Sequence, residues 1–460
     1  MRTHFRLRRA GLPGLLPLIC FALQAAYAGS ATWNLNPVSN DWNDPANWTP
    51  NRVPNGPNDV ATFGLSNITD IEVSADTTVG SIVYNAGAST FSITATPQFI
   101  LTLAGAGIAN NSSSVQNLVA AADENGGGII SFTGSATAAD TTITVMGGTV
   151  AGFGSQGFLD FADNATAGNA TIILNSGIHL VTENGQCSFL DSADGGTARF
   201  ICDGRLNVGG GAPVTIGSLE GSGEVLIGGR LNGGFGTELL VGSNNSTTRF
   251  SGNITFYGPF TKIGTGTLTL SGSGPGSRAV NVNEGTLIVN SPAKSALGHG
   301  EVTVDGGMLG GNGLIATCPT VCPGEVGPVS VGSRSGAESF LAPAAGTSRK
   351  ATLSMQSTLL FKSGGTYIWT FQGSGGKVES DQVIANGVTI EGGKIDLAGK
   401  TQGALETGLI LTLLGNTSAN PINGTFSNLA DGAIVNVNGN NLQVSYTGGD
   451  GNDLTLTVVP

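Results

Sequence analysis

Two closely spaced pairs of aspartates are the first candidates for catalytic chemistry. Asp160 and Asp163 lie in LDFADN, and Asp191 and Asp194 lie in LDSADGG. Glycoside hydrolysis needs two carboxyl groups within about 10 Å, one acting as the acid and the other as the base or nucleophile. Aspartate is also favoured in turns, because its side chain hydrogen-bonds to nearby backbone amides. The turn-like sequence around both pairs favours the structural interpretation.

The other candidates for catalysis are isolated. Asp203-Gly-Arg205 could form a carboxylate–guanidinium couple, although a solvated turn explains the same residues. Neither His179 nor His299 has a serine or cysteine nucleophile beside it, and His299 lies in ALGHGEV, a turn between repeats. A triad can assemble from distant segments, but no nucleophile-elbow motif is present. We therefore expect no catalytic residue and no cofactor.

Two short motifs have the letters of metal sites. The stretch from Gly448 matches a calcium-binding nonapeptide, with Asp450 and Asp453 as the carboxylates. That site needs several tandem copies, and the chain has one, so a turn before the last strand is the favoured interpretation. Cys318 and Cys322 have a spacing that zinc tolerates, but no second close pair and no nearby histidine completes the ligand set. We expect no bound metal.

The N-terminus has the features of a secretory signal peptide. Four arginines precede an apolar run over residues 15–26, and Ala-Tyr-Ala at 26–28 is a cleavage site. An uncleaved anchor helix is the alternative, but the run is short for spanning a bilayer. We expect cleavage after Ala28, no integral membrane segment afterwards, and a location outside the cell or at its surface, with the periplasm as the alternative.

Four cysteines follow residue 28. An even number of cysteines in an exported chain predicts disulfides. We expect two local bridges, Cys187–Cys202 and Cys318–Cys322.

The chain is acidic and rich in glycine. Its net charge is −12, and removal of the four arginines of residues 1–28 leaves −16. This charge argues against nucleic acid and anionic membranes as partners. Glycine accounts for 74 of 460 residues, yet 39 % of the chain is hydrophobic, which is enough for a core. The composition predicts β-structure with many turns.

Hydrophobic residues alternate with polar ones in short runs. Val280 and Val282 alternate with asparagines, and Leu268 and Leu270 alternate with threonines. Each run has four to six residues and ends at Gly, Asn, Asp or Ser, as strands do. No segment sustains a helical period. The sequence therefore predicts an all-β fold.

One phrase of the sequence recurs. GTLTL at 266–270 returns as GTLIV at 285–289 and, more loosely, as GGML at 306–309. A fixed period of about 20 residues is typical of repeat architectures, in which each unit covers the apolar face of the next. We predict a parallel β-helix whose rungs have this period.

The motifs also carry a family resemblance. FTKIGTGTLTLSG at 260–272 resembles the autotransporter-associated β-strand repeat of bacterial passenger domains, as do GTFSNLADGA at 424–433 and LQVSYTGGDGNDLTLT at 442–457. TWN…DWNDPANW at 32–48 is similar to the segment that opens such chains. The resemblance implies a right-handed β-helix outside the cell, without catalysis. Nothing after Tyr446 can build a membrane barrel, so we expect a passenger-type protein lacking the C-terminal translocator barrel.

The expected organisation has five segments. They are a signal peptide at 1–28, an N-terminal Trp/Asn-rich module or cap at 29–115, a β-solenoid at 116–313 with clear repeats at 260–313, a Cys/Pro/Ser loop or protrusion at 314–350, and a C-terminal closure at 351–460.

Three tryptophans stand out in the N-terminal module. Trp33, Trp42 and Trp48 could stack on sugars, or they could cover the open end of the solenoid. We favour the cap.

Two classes of function fit these observations. The first is a secreted or surface-exposed, non-catalytic β-solenoid with a structural or adhesin-like role, whose partner is extracellular polysaccharide or another protein surface. The alternative is a carbohydrate-active or carbohydrate-binding β-helix, similar to a polysaccharide lyase or hydrolase. Charged side chains gathered in one groove would favour the second class.

Overall fold

The computed structural model describes residues 29–150, 154–178, 183–228, 236–315, 327–332, 337–345 and 350–460. These residues form strands and turns, with a single 3-10 turn at Pro45–Asn47 and no α-helix. The all-β prediction is confirmed. None of the described residues belongs to a helix long and apolar enough to cross a membrane.

Five sheets contain all but two of the described strands, and we number them by their first strand. Sheet I has eleven strands, in spatial order Trp48–Thr49, Ala31–Trp33, Gly56–Phe63, Thr77–Tyr84, Ile100–Asn110, Ile129–Phe132, Phe158–Phe161, Gln186–Phe189, Arg205–Val208, Glu224–Ile227 and Asn253–Phe256. Sheet II has seven, Ser218–Glu220, Arg199–Cys202, Thr171–Leu174, Thr142–Val145, Asn117–Ala120, Ser92–Ala95 and Asp70–Val73. The short pair Ala122–Asp123 and Gly126–Gly127 lies outside the five.

Three further sheets form the C-terminal half. Sheet III contains Val214–Ile216, Leu239–Val241, Phe260–Lys262, Val280–Val282, Val302–Val304, Val329–Val331, Leu359–Phe361 and Val388–Ile390. Sheet IV contains Thr248–Phe250, Thr267–Leu270, Thr286–Val289, Met308–Gly310, Ser339–Ala342, Gly365–Gly375 and Lys377–Ser380, with Lys394–Leu405 also paired to Gly365–Gly375. Sheet V contains Leu314–Ile315, Thr352–Met355, Gln382–Ala385, Ile410–Asn416, Asp453–Val459, Asn440–Gly448 and Ile434–Val437.

Most of the pairing is parallel, and consecutive strands of the chain alternate between sheets before returning to the first. In sheet IV, Leu268 pairs with Leu287, and Leu287 pairs with Leu309. A chain that returns to the same sheet at regular intervals is compatible with a β-solenoid. We call one such return a rung. The predicted rung length is confirmed for this segment, because these pairs repeat the period read from the sequence.

The rungs of the N-terminal half are longer than predicted. In sheet I, Phe132 pairs with Phe161, and Phe161 pairs with Phe189. Paired residues in sheet I are therefore farther apart in the sequence than those in sheet IV. The added length lies in the segments that return from sheet II to sheet I, such as the one between Val145 and Phe158. The turns from sheet I to sheet II carry a separate line of bridges from Thr137 through Thr166 to Asp194. A uniform rung length is therefore wrong for this part of the chain.

The core follows from the alternation of residues along each strand. In Phe158–Phe161, Leu159 and Phe161 are buried, while Phe158 and Asp160 are only partly covered. Because the strands are in register, Phe161 stacks between Phe132 and Phe189, with ring centroids 5.0 and 5.2 Å away and the planes nearly parallel. Stacked aromatics of this kind bury large apolar areas and fix the register of the rungs.

The three N-terminal tryptophans belong to the core. Trp33, Trp42 and Trp48 are at most 2 % exposed. Trp48 meets both other rings edge-on, at centroid distances of 5.0 Å to Trp33 and 4.9 Å to Trp42. Each indole N–H donates to a backbone carbonyl, those of Ile68, Pro54 and Trp42 respectively. None of the three rings is available to stack on a sugar.

The pairing changes near the C-terminus. Asp453–Val459 pairs antiparallel with both Ile410–Asn416 and Asn440–Gly448. Two neighbouring strands, Gly365–Gly375 and Lys394–Leu405, have 11 and 12 residues, and the first turns back into a hairpin with Lys377–Ser380. These long strands extend sheet IV beyond the width of its earlier, three- and four-residue strands.

Candidate functional site

Asp163 and Asp191 lie on successive turns and connect them. Both have a left-handed backbone conformation, with φ of 57° and 52°. The Oδ2 atom of Asp163 accepts a 2.8 Å hydrogen bond from the backbone N–H of Gly134, and Oδ2 of Asp191 accepts one of 3.3 Å from the N–H of Asp163. Each carboxylate thus ties its own rung to the previous one, as the turn interpretation predicts.

The other members of the two aspartate pairs, Asp194 and Asp160, have different partners from each other. Asp194 accepts hydrogen bonds from the backbone of Thr215 at 2.5 Å and of Gly196 at 3.2 Å. Asp160 lies on the outer row of sheet I, where its neighbours in register are Ser131 and Ser188. Burial raises the pKa of the Asp160 carboxyl, and a hydrogen bond with Ser188 partly offsets that rise. Serine neighbours cannot supply the second carboxylate that a glycosidase needs.

Asp203 and Arg205 do not form a couple with each other. Oδ1 of Asp203 accepts from both the backbone N–H and the hydroxyl of Ser222, each at 2.8 Å. The Arg205 guanidinium forms an ion pair of 2.8 Å with Glu224, its partner on the next strand of sheet I. A similar pair joins Arg199 and Glu220 at 2.7 Å. These charges hold neighbouring strands together at the surface, where each ion pair contributes little energy.

Of His179 and His299, the structure describes only His299, which lies in a turn. His179 lies outside the described residues. The backbone of His299 donates to the carbonyl of Gly276 and accepts from the N–H of Gly327, so this residue occupies a turn that continues the rung-to-rung pairing.

The calcium-like motif has a structural use. Oδ1 of Asp453 accepts a 2.8 Å hydrogen bond from the backbone of Asn416, and Asp450 is exposed in the hairpin turn. No group of three or more His, Cys, Asp or Glu side chains in the described part of the chain is arranged to hold a metal ion. Cys318 and Cys322 lie outside that part, and with them the zinc alternative and the predicted Cys318–Cys322 bridge.

The predicted Cys187–Cys202 bridge is not present. Both residues are buried free thiols. Cys187 lies on sheet I and Cys202 on sheet II, and the Cys202 thiol is directed at the carbonyls of Gly204 and Glu224, 3.6 and 3.7 Å away. The even number of cysteines therefore does not produce this pairing. Burial raises the pKa of both thiols, that of Cys202 to about 12.

A groove lies where the long strands extend sheet IV. It comprises two adjoining cavities of about 430 and 750 Å³ that share Gln372, Glu379 and Lys400. We call it the C-terminal groove and define it by its polar lining residues, Lys350, Gln372, Lys377, Glu379, Asp381 and Lys400. This site gathers charged side chains from three segments of the chain.

The hairpin and the long strands position these side chains. Glu379 pairs in register with Gln372, and Gln372 pairs with Lys400 on its other side. The amide of Gln372 donates to the Glu379 carboxylate at 3.4 Å. Adjacent strands lie about 4.8 Å apart, so an acid, an amide and a base form one row across the three strands.

The floor of the groove is buried and hydrogen-bonded. Asp381 is 2 % exposed, and its carboxylate accepts from the backbone of Ala351 at 3.1 Å and from both the backbone and the hydroxyl of Thr370. Burial raises the pKa of the Asp381 carboxyl, and these hydrogen bonds oppose the rise. Phe371 packs on Gly399, where a Cβ atom would lie 2.2 Å from the ring. Only glycine allows this approach.

Three lysines give the groove its charge. Lys350, Lys377 and Lys400 are three of the seven lysines of the chain. Both ion pairs of the described residues lie elsewhere, at Arg199 and Arg205, so these ammonium groups have no described carboxylate within 4.0 Å. This site was not predicted from the sequence. The available signal was that five of the seven lysines fall between residues 350 and 400 of an acidic chain.

No protein-family model and no curated protein sequence matches this chain. The resemblance to the autotransporter-associated repeat therefore depends on the motifs alone.

Proposed function

We propose that this chain is an exported, non-catalytic β-helix of the autotransporter-associated, passenger type, with an adhesive role at the cell surface and an extended polysaccharide as its partner. In this proposal residues 1–28 direct export and are removed after Ala28. The mature chain then resides outside the cell or at its surface, with the periplasm as the alternative.

The observation that carries the proposal is the use of the carboxylates. Asp163, Asp194 and Asp203 each accept hydrogen bonds from the backbone of a neighbouring rung. General acid–base catalysis needs a titratable group that can reach the substrate and exchange a proton with it. A carboxylate that holds two rungs together supports a scaffold instead.

The architecture in this proposal is a right-handed β-helix with an N-terminal cap. Parallel strands joined by crossovers are right-handed in nearly all proteins, because the twist of the strands favours that hand. The buried cluster of Trp33, Trp42 and Trp48 supports the cap, since Trp48 belongs to Trp48–Thr49, the strand at the N-terminal edge of sheet I. Covering that edge protects its unpaired backbone groups from other chains.

The carbohydrate-binding alternative is supported by the C-terminal groove, and we include it in the proposal as binding without turnover. The groove gathers charged side chains, and this is the feature that favours a carbohydrate-active or carbohydrate-binding β-helix over a purely structural one. Its buried carboxylate, Asp381, is occupied by hydrogen bonds from Ala351 and Thr370. The exposed lysines can bind an anionic chain, while Asp381 serves to hold the floor.

Affinity electrophoresis tests this proposal. Protein comprising residues 29–460 would migrate through gels that contain a uronic-acid or a neutral polysaccharide, beside a reference protein of similar charge. We expect the protein to migrate more slowly, relative to the reference, in a gel that contains at least one of the polysaccharides than in a gel without polysaccharide. Unchanged mobility in every gel would contradict an adhesive function toward polysaccharide.

A further inference from the structure

We propose that the C-terminal groove is the binding site for an acidic polysaccharide, a chain of sugars with carboxylate or sulfate groups, and that Lys350, Lys377 and Lys400 bind those groups. This inference rests on the proposed function, because it names the site and the chemical class of its partner. Polysaccharides with carboxylate groups and those with sulfate groups share one chemistry, an anionic group on a sugar.

The charge distribution is the first argument. The chain has a net charge of −12, yet three of its seven lysines line one groove. With Glu379 and Asp381 the lining has three positive and two negative side chains, a net +1 in an acidic chain. A positive cleft attracts ligands of the opposite sign, and its walls strengthen the field. Duplex DNA and anionic membranes present broad negative surfaces that the acidic remainder of the chain repels. A single polysaccharide strand is narrower than either, so it can contact the groove lysines with less of that repulsion.

The shape of the groove is the second argument. Ligand pockets commonly have volumes of about 300–1,000 Å³, and the two cavities, of about 430 and 750 Å³, adjoin each other. Lys350 lines the first cavity, Lys377 lines the second, and Lys400 lines both. This order suits a chain with repeated anionic groups better than one small anion.

The polar row across the strands is the third argument. Gln372 lies between Glu379 and Lys400, so the groove offers an amide and a carboxylate for sugar hydroxyls next to a cation for the anionic group. Glu379 also repels an anionic group on its side of the row, which directs that group toward Lys400. The buried Asp381 and the packing of Phe371 on Gly399 keep the row in place before the ligand arrives. A preorganised site loses less entropy on binding.

The experiment compares two variants of equal charge in the full mature chain. K350Q/K377Q/K400Q removes the three groove lysines, and K294Q/K362Q/K394Q removes three lysines that do not line either cavity. Calorimetric titration with polygalacturonate, dextran sulfate and uncharged dextran separates carboxylate, sulfate and neutral chains. Lys394 is a close control because it is on the same strand as Lys400.

We expect the groove variant to lose affinity for at least one acidic glycan by roughly tenfold or more, while the control variant changes less than about twofold. The affinity of the wild-type protein should fall as salt is added, because these contacts are exposed to solvent. Uncharged dextran should bind more weakly than either acidic glycan. Equal losses in the two variants would overturn the inference, as would tighter binding to a DNA duplex or to phosphatidylserine vesicles than to the glycans.

A second measurement uses the wild-type protein. Lysine acetylation read by mass spectrometry should slow at residues 350, 377 and 400 when the acidic glycan is present, and should be unchanged at 294, 362 and 394. Protection of both sets alike, or of neither, would overturn the inference. If the protein binds polysaccharide and the groove variant binds equally well, the groove assignment fails and the adhesive function stands. If no polysaccharide binds to the wild-type protein, both fail.

Discussion

The carboxylate of Asp163 accepts a 2.8 Å hydrogen bond from the backbone N–H of Gly134, which belongs to the preceding rung. The N–H of Asp163 in turn donates to Asp191, on the following rung. The turn that links sheets I and II is therefore joined to the equivalent turn in the rung on each side. Asp163 also has a left-handed backbone conformation, with φ of 57°, which Asp and Asn tolerate better than most residues.

Replacement of Asp163 should show how much the hydrogen bond and the backbone conformation contribute together. Asp163→Ala loses the hydrogen bond to Gly134 and places alanine at a positive φ, so we expect the free energy of unfolding to fall by about 1–2 kcal/mol. Asp163→Asn keeps an acceptor oxygen and a residue suited to the conformation, and should lose less. Urea unfolding followed by circular dichroism measures both. Equal losses in the two variants would show that neither the acceptor oxygen nor the tolerance of a positive φ sets the stability at this position.

The stack of phenylalanines should contribute much more to the free energy of unfolding than Asp163 does. Phe161 is fully buried between Phe132 and Phe189. Phe161→Ala removes a large side chain from a packed core, and we expect a loss of about 3–5 kcal/mol. Ile173→Ala, on the outer row of sheet II, is the control and should cost less than about 1 kcal/mol. Similar losses for both variants, measured by the same urea unfolding, would contradict the register of the rungs.

Lys262 should make the free energy of unfolding vary with pH in the alkaline range. The residue is 1 % exposed, its ammonium donates to the carbonyls of Ile263, Gly264 and Glu284, and burial lowers its pKa to about 8. The unfolded chain keeps the proton up to the ordinary lysine pKa of 10.5. Between these two values the unfolded state binds more protons, so the free energy of unfolding should rise as pH increases.

Lys262→Met isolates this effect, because it removes the titrating group. The difference in unfolding free energy between wild type and Lys262→Met should increase in favour of the wild type from about pH 8 to about pH 10. Urea unfolding at several pH values gives the difference. A constant difference, or one that changes in the opposite direction, would contradict the lowered pKa.

The two buried cysteines should be unreactive in the folded protein. Alkylating reagents attack the thiolate, and burial both covers Cys187 and Cys202 and raises the pKa of each thiol. We expect little alkylation at either position under native conditions and complete alkylation in denaturant. Mass spectrometry of the unreduced protein measures both. A linked peptide that contains Cys187 and Cys202 would show that the bridge forms after all.

The sequence predicted the parts of the fold that local pattern controls. The recurrence of GTLTL as GTLIV predicted successive rungs, and the structure pairs Leu268 with Leu287. The longer rungs were also present as a pattern, since FTGSATAAD, FADNATAGN and FLDSADGGT begin at residues 132, 161 and 189. They were missed because their polar letters vary while the phenylalanine and the central alanine are retained.

The C-terminal groove could not be predicted in the same way. Lys350, Lys377 and Lys400 share no motif and lie far apart in the sequence. They meet because Gly365–Gly375 turns back on itself and pairs on its other side with Lys394–Leu405. Such a meeting depends on strand length and pairing partners, which the alternation of residues does not specify.

The decisive measurement is product release by the purified protein of residues 29–460 from a panel of uronic-acid and neutral glycans, assayed for reducing ends and for unsaturated products between about pH 5 and pH 9. The carboxylates act as connections between rungs and as the floor of the groove, so we expect release at the rate of the protein-free blank throughout. Steady release that disappears in Asp160→Asn or Asp381→Asn would contradict this account and would identify the chain as an enzyme.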